Sequence, residues 1–117
     1  MASSEIYRYL SVQDKKIALD PEGFLVDMAD WSPAVAEALA AEEERTLTAE
    51  HWEVIEVLRN FYARYEMAPA MRPLVKAVGL ALGAEKGKSL HLMRLFPDSP
   101  AKVGARLAGL PKPANCL

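Results

Sequence analysis

Between residues 48 and 67 the chain reads TAEHWEVIEVLRNFYARYEM, and Trp52, Ile55, Leu58, Phe61, Tyr62 and Tyr65 recur at steps of mostly three or four. That spacing follows the 3.6-residue period of an α-helix and predicts an apolar stripe at the centre of the core, with Thr48 as the cap. Upstream, WSPAVAEALAAEEE places Ser32 as N-cap and Pro33 at the first helical position, which predicts a helix over 33–44. PAMRPLVKAVGLAL predicts a third helix over 70–82, stopped by Gly83, with Pro73 tolerated only because it falls in the first turn. KGKSLHLMRLF predicts a short fourth helix ending before Pro97, with Leu90, Leu92, Met93, Leu95 and Phe96 in the core. SPAKVGARLAG predicts a fifth, capped by Ser99, opened by Pro100 and ended by Gly109.

Before the first helix the period shortens. EIYRYLSV, IAL and FLVDM read as short extended pieces separated by QDKK and by DPEG, whose Asp20, Pro21 and Gly23 suit a type I turn. A small β-hairpin or meander is expected over 5–28, and a sheet this small needs helices to cover it. The expected fold is mainly α, a single domain over 1–117. It is a compact helical bundle over 33–109 with the N-terminal hairpin and an extended C-terminal arm over 110–117.

Composition narrows the class. With 51% hydrophobic and 26% charged residues the 117-residue chain is a single-core globular sequence. There is no apolar run of about 18 residues. The start MASSEIYRYL has none of the layout of a signal peptide, so no membrane association and a cytoplasmic location are expected. One cysteine and two histidines, His51 and His91, supply neither an internal disulfide nor metal-ligand spacing, so no metal and no cofactor are expected.

Charge is unevenly divided. Up to Met67 there are six basic residues against fourteen acidic ones, about −8, and beyond it eight against two, about +6. The back half is therefore suited either to packing against the front or to docking an acidic partner or a phosphate backbone. Arg72, Lys86, Lys88 and Arg94 are the candidates for such a docking surface.

The chain closes with GLPKPANCL, and its one cysteine is Cys116. Pro111 and Pro113 hold their own φ near −65° and disfavour helix at Leu110 and Lys112, so Gly109, Leu110, Pro111, Lys112 and Pro113 form an extended arm for partner docking. Residues 110–117 reach at most about 26 Å at ~3.3 Å each, enough to carry a side chain into another protein's pocket. A core cysteine behaves as a small hydrophobe, whereas an exposed free thiol invites reaction. A free thiol of ordinary pKa, about 8.5, is only a few per cent thiolate at neutral pH, so Cys116 is expected to be poorly activated by itself. It therefore suits a carrier activated inside a partner's site. Without a Cys-X-X-Cys motif, what remains is intermolecular exchange, as a mixed disulfide or a relayed persulfide.

GLPKPANC at 109–116 matches a specific pattern. So do LDPEGFLVDMADWS at 19–32, LTAEHWEVIEVLRNFYARYEMAPAMRPLVKAV at 47–78 and EKGKSLHLMRLFPDSPAKVGARLAGLPKP at 85–113. Together they closely resemble the DsrC/TusE family of sulfur-trafficking proteins, from about Ile17 onward. The resemblance implies helices with a small N-terminal hairpin and a mobile arm. It also implies that Cys116 is a persulfide carrier. DsrC proper, the partner of dissimilatory sulfite reductase, carries a second arm cysteine eleven residues before the penultimate one; here that position is Ala105, so the chain looks like the single-cysteine TusE branch. That branch implies sulfur received from a TusBCD-like complex and handed to an MnmA-like tRNA 2-thiouridylase for wobble-uridine thiolation, with tRNA an indirect partner. The protein would be a sulfurtransferase component without a small-molecule substrate pocket of its own. The alternative is a DsrC-like partner or redox or regulatory protein of sulfur oxidation or sulfite reduction.

A reading of another class is a DNA-binding helix-turn-helix around Gly83. The basic back half favours it, and the apolar character of SLHLMRLF and the sequence pI of about 5.7 oppose it. His51 and His91 are expected as helix-surface or core residues, and Trp52 and the tyrosines as core.

Overall fold

A computed structural model describes residues 5–114. Two strands, β1 (Arg8–Val12) and β2 (Lys15–Leu19), pair antiparallel with Leu10 opposite Ile17 and Val12 opposite Lys15. Leu10, Val12, Ile17 and Leu19 all point to the core, as the two-residue period of a half-buried hairpin demands. The break between the strands is shorter than the sequence suggested. Only Gln13 and Asp14 turn, both with positive φ (49° and 66°), and Lys15 and Lys16 belong to β2. Two left-handed residues match the right-handed twist of a hairpin, which a four-residue QDKK turn would splay.

The DPEG turn forms as expected, with Gly23 N–H donating to the Asp20 carbonyl (3.0 Å) and Gly23 at φ +84°. Buried Asp20 tightens it, its Oδ1 accepting from the backbone N–H groups of Glu22 and Phe24, each at 2.9 Å. The chain then returns along β2 through a bridge between Leu19 and Leu25 and makes one 3₁₀ turn at Met28–Asp30.

Five helices follow: α1 (Pro33–Glu42), α2 (Ala49–Tyr65), α3 (Met71–Leu82), α4 (Ser89–Leu95) and α5 (Pro100–Leu107). Ser32 caps α1 by accepting from Val35 N–H (3.3 Å). Helix α2 lies at the centre, burying Val54, Ile55, Val57 and Leu58, and packs on α3 and α5, with α1 against α5 and β1. Small residues on α5 permit the close approach: Ala101, Gly104 and Ala105 are buried, and a Cβ on Gly104 would sit 2.9 Å from Leu58 Cδ1.

The α2 stripe is narrower than its aromatic residues suggested. Ile55 and Leu58 are in the core, Trp52, Phe61 and Tyr62 are half-buried, and Tyr65 is exposed, as are Tyr7 and Tyr9. The tyrosines therefore sit at the margin, where an apolar ring and a wet hydroxyl are both satisfied. On α4 the expected core also divides. Leu92, Leu95 and Phe96 are buried, whereas Leu90 and Met93 are 76% and 41% exposed, because a helix touching the body on one side can bury only one stripe.

Both histidines are interior. His51 stands where a capping box usually has Glu: its Nδ1 accepts from Thr48 N–H (3.0 Å), and its Nε2 donates to the Leu95 carbonyl (2.9 Å). Its ring meets Phe96 edge-on at 5.2 Å. Burial, and next in weight the hydrogen bond to Leu95 in the opposite sense, leave its pKa below the usual histidine value.

Candidate functional site: the root of the C-terminal arm

Helix α5 ends in a motif that turns the chain off its axis. Gly109, at φ +75°, donates to the Arg106 carbonyl (3.2 Å), and Leu110 donates to the Ala105 carbonyl (2.9 Å), the paired pattern of a Schellman cap. No other residue fits at 109, because an added Cβ would overlap the Trp31 indole. The same indole donates through Nε1 to the Leu107 carbonyl at 2.8 Å. Arg59, from the middle of α2, lies 3.9 Å above the Trp31 ring and donates to the Ala108 carbonyl at 2.7 Å. The terminal carbonyls of α5 are thus satisfied by two side chains from elsewhere in the fold.

The root of the arm expected over 110–117 lies against the body. Leu110 is 2% exposed and Pro113 is buried, so residues 110–113 lie along the domain. Lys112 reaches Glu22 at 3.1 Å, and Lys102 of α5 meets the same oxygen at 3.1 Å. These two ammonium groups, Lys112 first, hold the Glu22 carboxyl below its usual pKa. Cys116 lies outside the described residues. Trp31, Arg59 and Glu22 went unassigned in the sequence, although the segments LDPEGFLVDMADWS and LTAEHWEVIEVLRN carried them. The available signal was a Trp immediately before a helix cap and an Arg interrupting an apolar helix.

Ala105 is fully buried on a packed face of α5, upstream of the arm. Three of the four candidate docking cations have partners of their own. Lys86 is bonded to Glu53 at 2.6 Å and Lys88 is 3.8 Å from Glu85. Arg94 lies 3.0 Å from His91 Nδ1, and Arg72 is exposed on α3. The helix-turn-helix reading finds no support: six residues, 83–88, separate α3 from α4, against the three or four of that motif. The outer face of α4 presents Leu90 and Met93 beside Arg94.

Among the clefts beside this region are these two. One, about 280 Å³, lies between the DPEG turn and α1, where Arg8 makes two 2.9 Å bonds to Glu42 and Arg106 pairs with Glu43. The other, about 320 Å³, runs over Trp31, Trp52, Ile55 and Arg59. Among the described residues no group of three or more His, Cys, Asp or Glu is placed to hold a metal, and no helix is long and apolar enough to cross a membrane.

Fold and site together define a class: a small, mainly helical domain that presents a short arm from a glycine-capped last helix. The chain belongs to the DsrC-like family, whose model, described as DsrC like protein, matches residues 11–117. It is 48% identical over 108 residues to the Sulfurtransferase TusE of Salmonella typhimurium, covering 92% of this chain and 99% of that one. It is 47% identical to the Sulfurtransferase TusE of Photorhabdus laumondii, covering 92% and 97%. Among solved structures, the NMR structure of Allochromatium vinosum DsrC superposes with a TM-score of 0.86 at 48% identity, covering 94% of this chain and 98% of that one. The crystal structure of the oxidized gamma-subunit of dissimilatory sulfite reductase (DsrC) from Archaeoglobus fulgidus gives 0.79 at 39% identity, covering 93% and 99%.

Proposed function

We propose that the protein is a cytoplasmic sulfur carrier that accepts sulfane sulfur as a persulfide on Cys116 and relays it toward tRNA thiolation. The observation that carries this reading is the single cysteine, Cys116, after the Gly-Leu-Pro-Lys-Pro arm, in a chain 48% identical to proteins named Sulfurtransferase TusE. The Cys116 thiolate attacks the outer sulfur of a donor persulfide. A new S–S bond forms at Cys116 Sγ, the donor's S–S bond breaks, and the donor leaves as its thiolate. One sulfane sulfur moves, with no net oxidation or reduction. Attack by an acceptor thiolate on the outer sulfur of Cys116 persulfide repeats the exchange and restores the Cys116 thiolate. A TusBCD-like complex is the proposed donor and an MnmA-like tRNA 2-thiouridylase the proposed acceptor, which meets tRNA itself.

The equal 48% identity to Allochromatium vinosum DsrC favours a second reading, a DsrC-like partner or redox protein of sulfite reduction or sulfur oxidation. Ala105 weighs against it, since chemistry needing two thiols within one chain is unavailable. The test is intact mass after incubation with a cysteine desulfurase, cysteine and the upstream relay proteins. Wild type should gain about 32 Da that reduction removes, and Cys116→Ser should gain nothing. No gain while the upstream proteins are themselves loaded overturns the carrier reading.

A further inference from the structure

The carrier reading leaves open what determines where the thiol can go, and the contacts of the arm's root bear on that question. Gly109 is fixed against Trp31, and Leu110 is buried. Beyond them the described arm makes one charged contact with the body, Lys112 to Glu22, and Glu22 is itself steadied by Lys102. Glu22 sits in the tightly bonded turn that Asp20 closes, so the carboxylate projects from a rigid base. Pro113, next to Lys112, is buried at the point where this contact ends.

Resting on the assignment of Cys116 as carrier, we propose that Glu22 is its positioning residue, and that by bridging Lys102 and Lys112 it holds the arm on the body as far as Pro113. The thiol then works within about 10 Å of Pro113, three residues at ~3.3 Å, against about 20 Å for an arm swinging from buried Leu110, six residues away. An arm held in this way also loses less conformational freedom when a partner captures it, so the bridge acts on productive encounter more than on the exchange step.

The test compares wild type, Glu22→Gln and the charge-swapped Glu22→Lys/Lys112→Glu, in which the new carboxylate faces two ammonium groups. Heteronuclear NOEs at the Lys112 and Ala114 amides report the arm. Loading of Cys116 by the upstream relay proteins, followed by intact mass, reports function. In Glu22→Gln both NOEs should fall, and KM for the donor protein should rise two- to fivefold, about what an exposed ion pair commands, with kcat little changed. The charge swap should restore both, and about 1 M salt should bring wild type to the level of Glu22→Gln. Unchanged NOEs in Glu22→Gln, or lower NOEs with unchanged KM, overturn the proposal. Failure of wild type to take up sulfur overturns instead the carrier reading, while the NOEs still decide whether Glu22 holds the arm.

Discussion

Replacing Gly109 with alanine tests whether the arm's root is held by shape as well as by hydrogen bonds. Gly109 sits at φ +75°, where an L side chain costs about 1 kcal/mol. An added methyl group also overlaps the Trp31 indole, which must move. Moving the ring breaks its Nε1 bond to the Leu107 carbonyl, worth about 1 kcal/mol, and weakens the Arg59 stack, worth about 0.5–1 kcal/mol. The expected loss is about 3 kcal/mol, read from the midpoint of urea unfolding with the m-value unchanged. A cycle with Trp31→Gly, which removes the indole and also the Trp31 Cβ that would lie 2.8 Å from the added carbon, separates the two causes. In that background Gly109→Ala should cost only its backbone part, about 1 kcal/mol, leaving a coupling of about 2 kcal/mol. If Gly109→Ala costs the same with and without the indole, the steric argument is wrong and the glycine serves only its left-handed conformation.

Other expectations follow from the same geometry. The folded state keeps His51 neutral, with a pKa below the unfolded value, so its contribution is present above about pH 6.5 and is lost as pH falls through the folded value. Unfolding midpoints between about pH 7.5 and about pH 5.5 should fall more steeply for wild type than for His51→Gln; parallel curves would remove His51 as the cause. Gly104→Val should destabilise by about 1–3 kcal/mol in thermal unfolding, because its first added carbon would already sit 2.9 Å from Leu58 Cδ1. Arg94→Glu should slow loading of Cys116 at low salt and lose that effect at high salt; equal rates across salt concentrations would exclude Arg94 from docking.

Much of this molecule was legible as local pattern. Ser32-Pro33, Ser99-Pro100, Gly83 and Gly109 mark helix ends because each satisfies or ends a ladder of backbone bonds within a few residues. Likewise, Asp20 through Gly23 close a turn with their own atoms. Such signals need no knowledge of the rest of the chain. The tertiary structure alone decided which side of α4 faces inward, since Leu90 and Leu92 are chemically alike and only contact with the body distinguishes them. It also decided the arm's root, which depends on Trp31 meeting Leu107, Arg59 meeting Ala108 and Glu22 meeting Lys112. These partners lie 76, 49 and 90 residues apart. No periodicity or spacing encodes pairs so distant, because they become neighbours only when the hairpin, α2 and α5 close around one core.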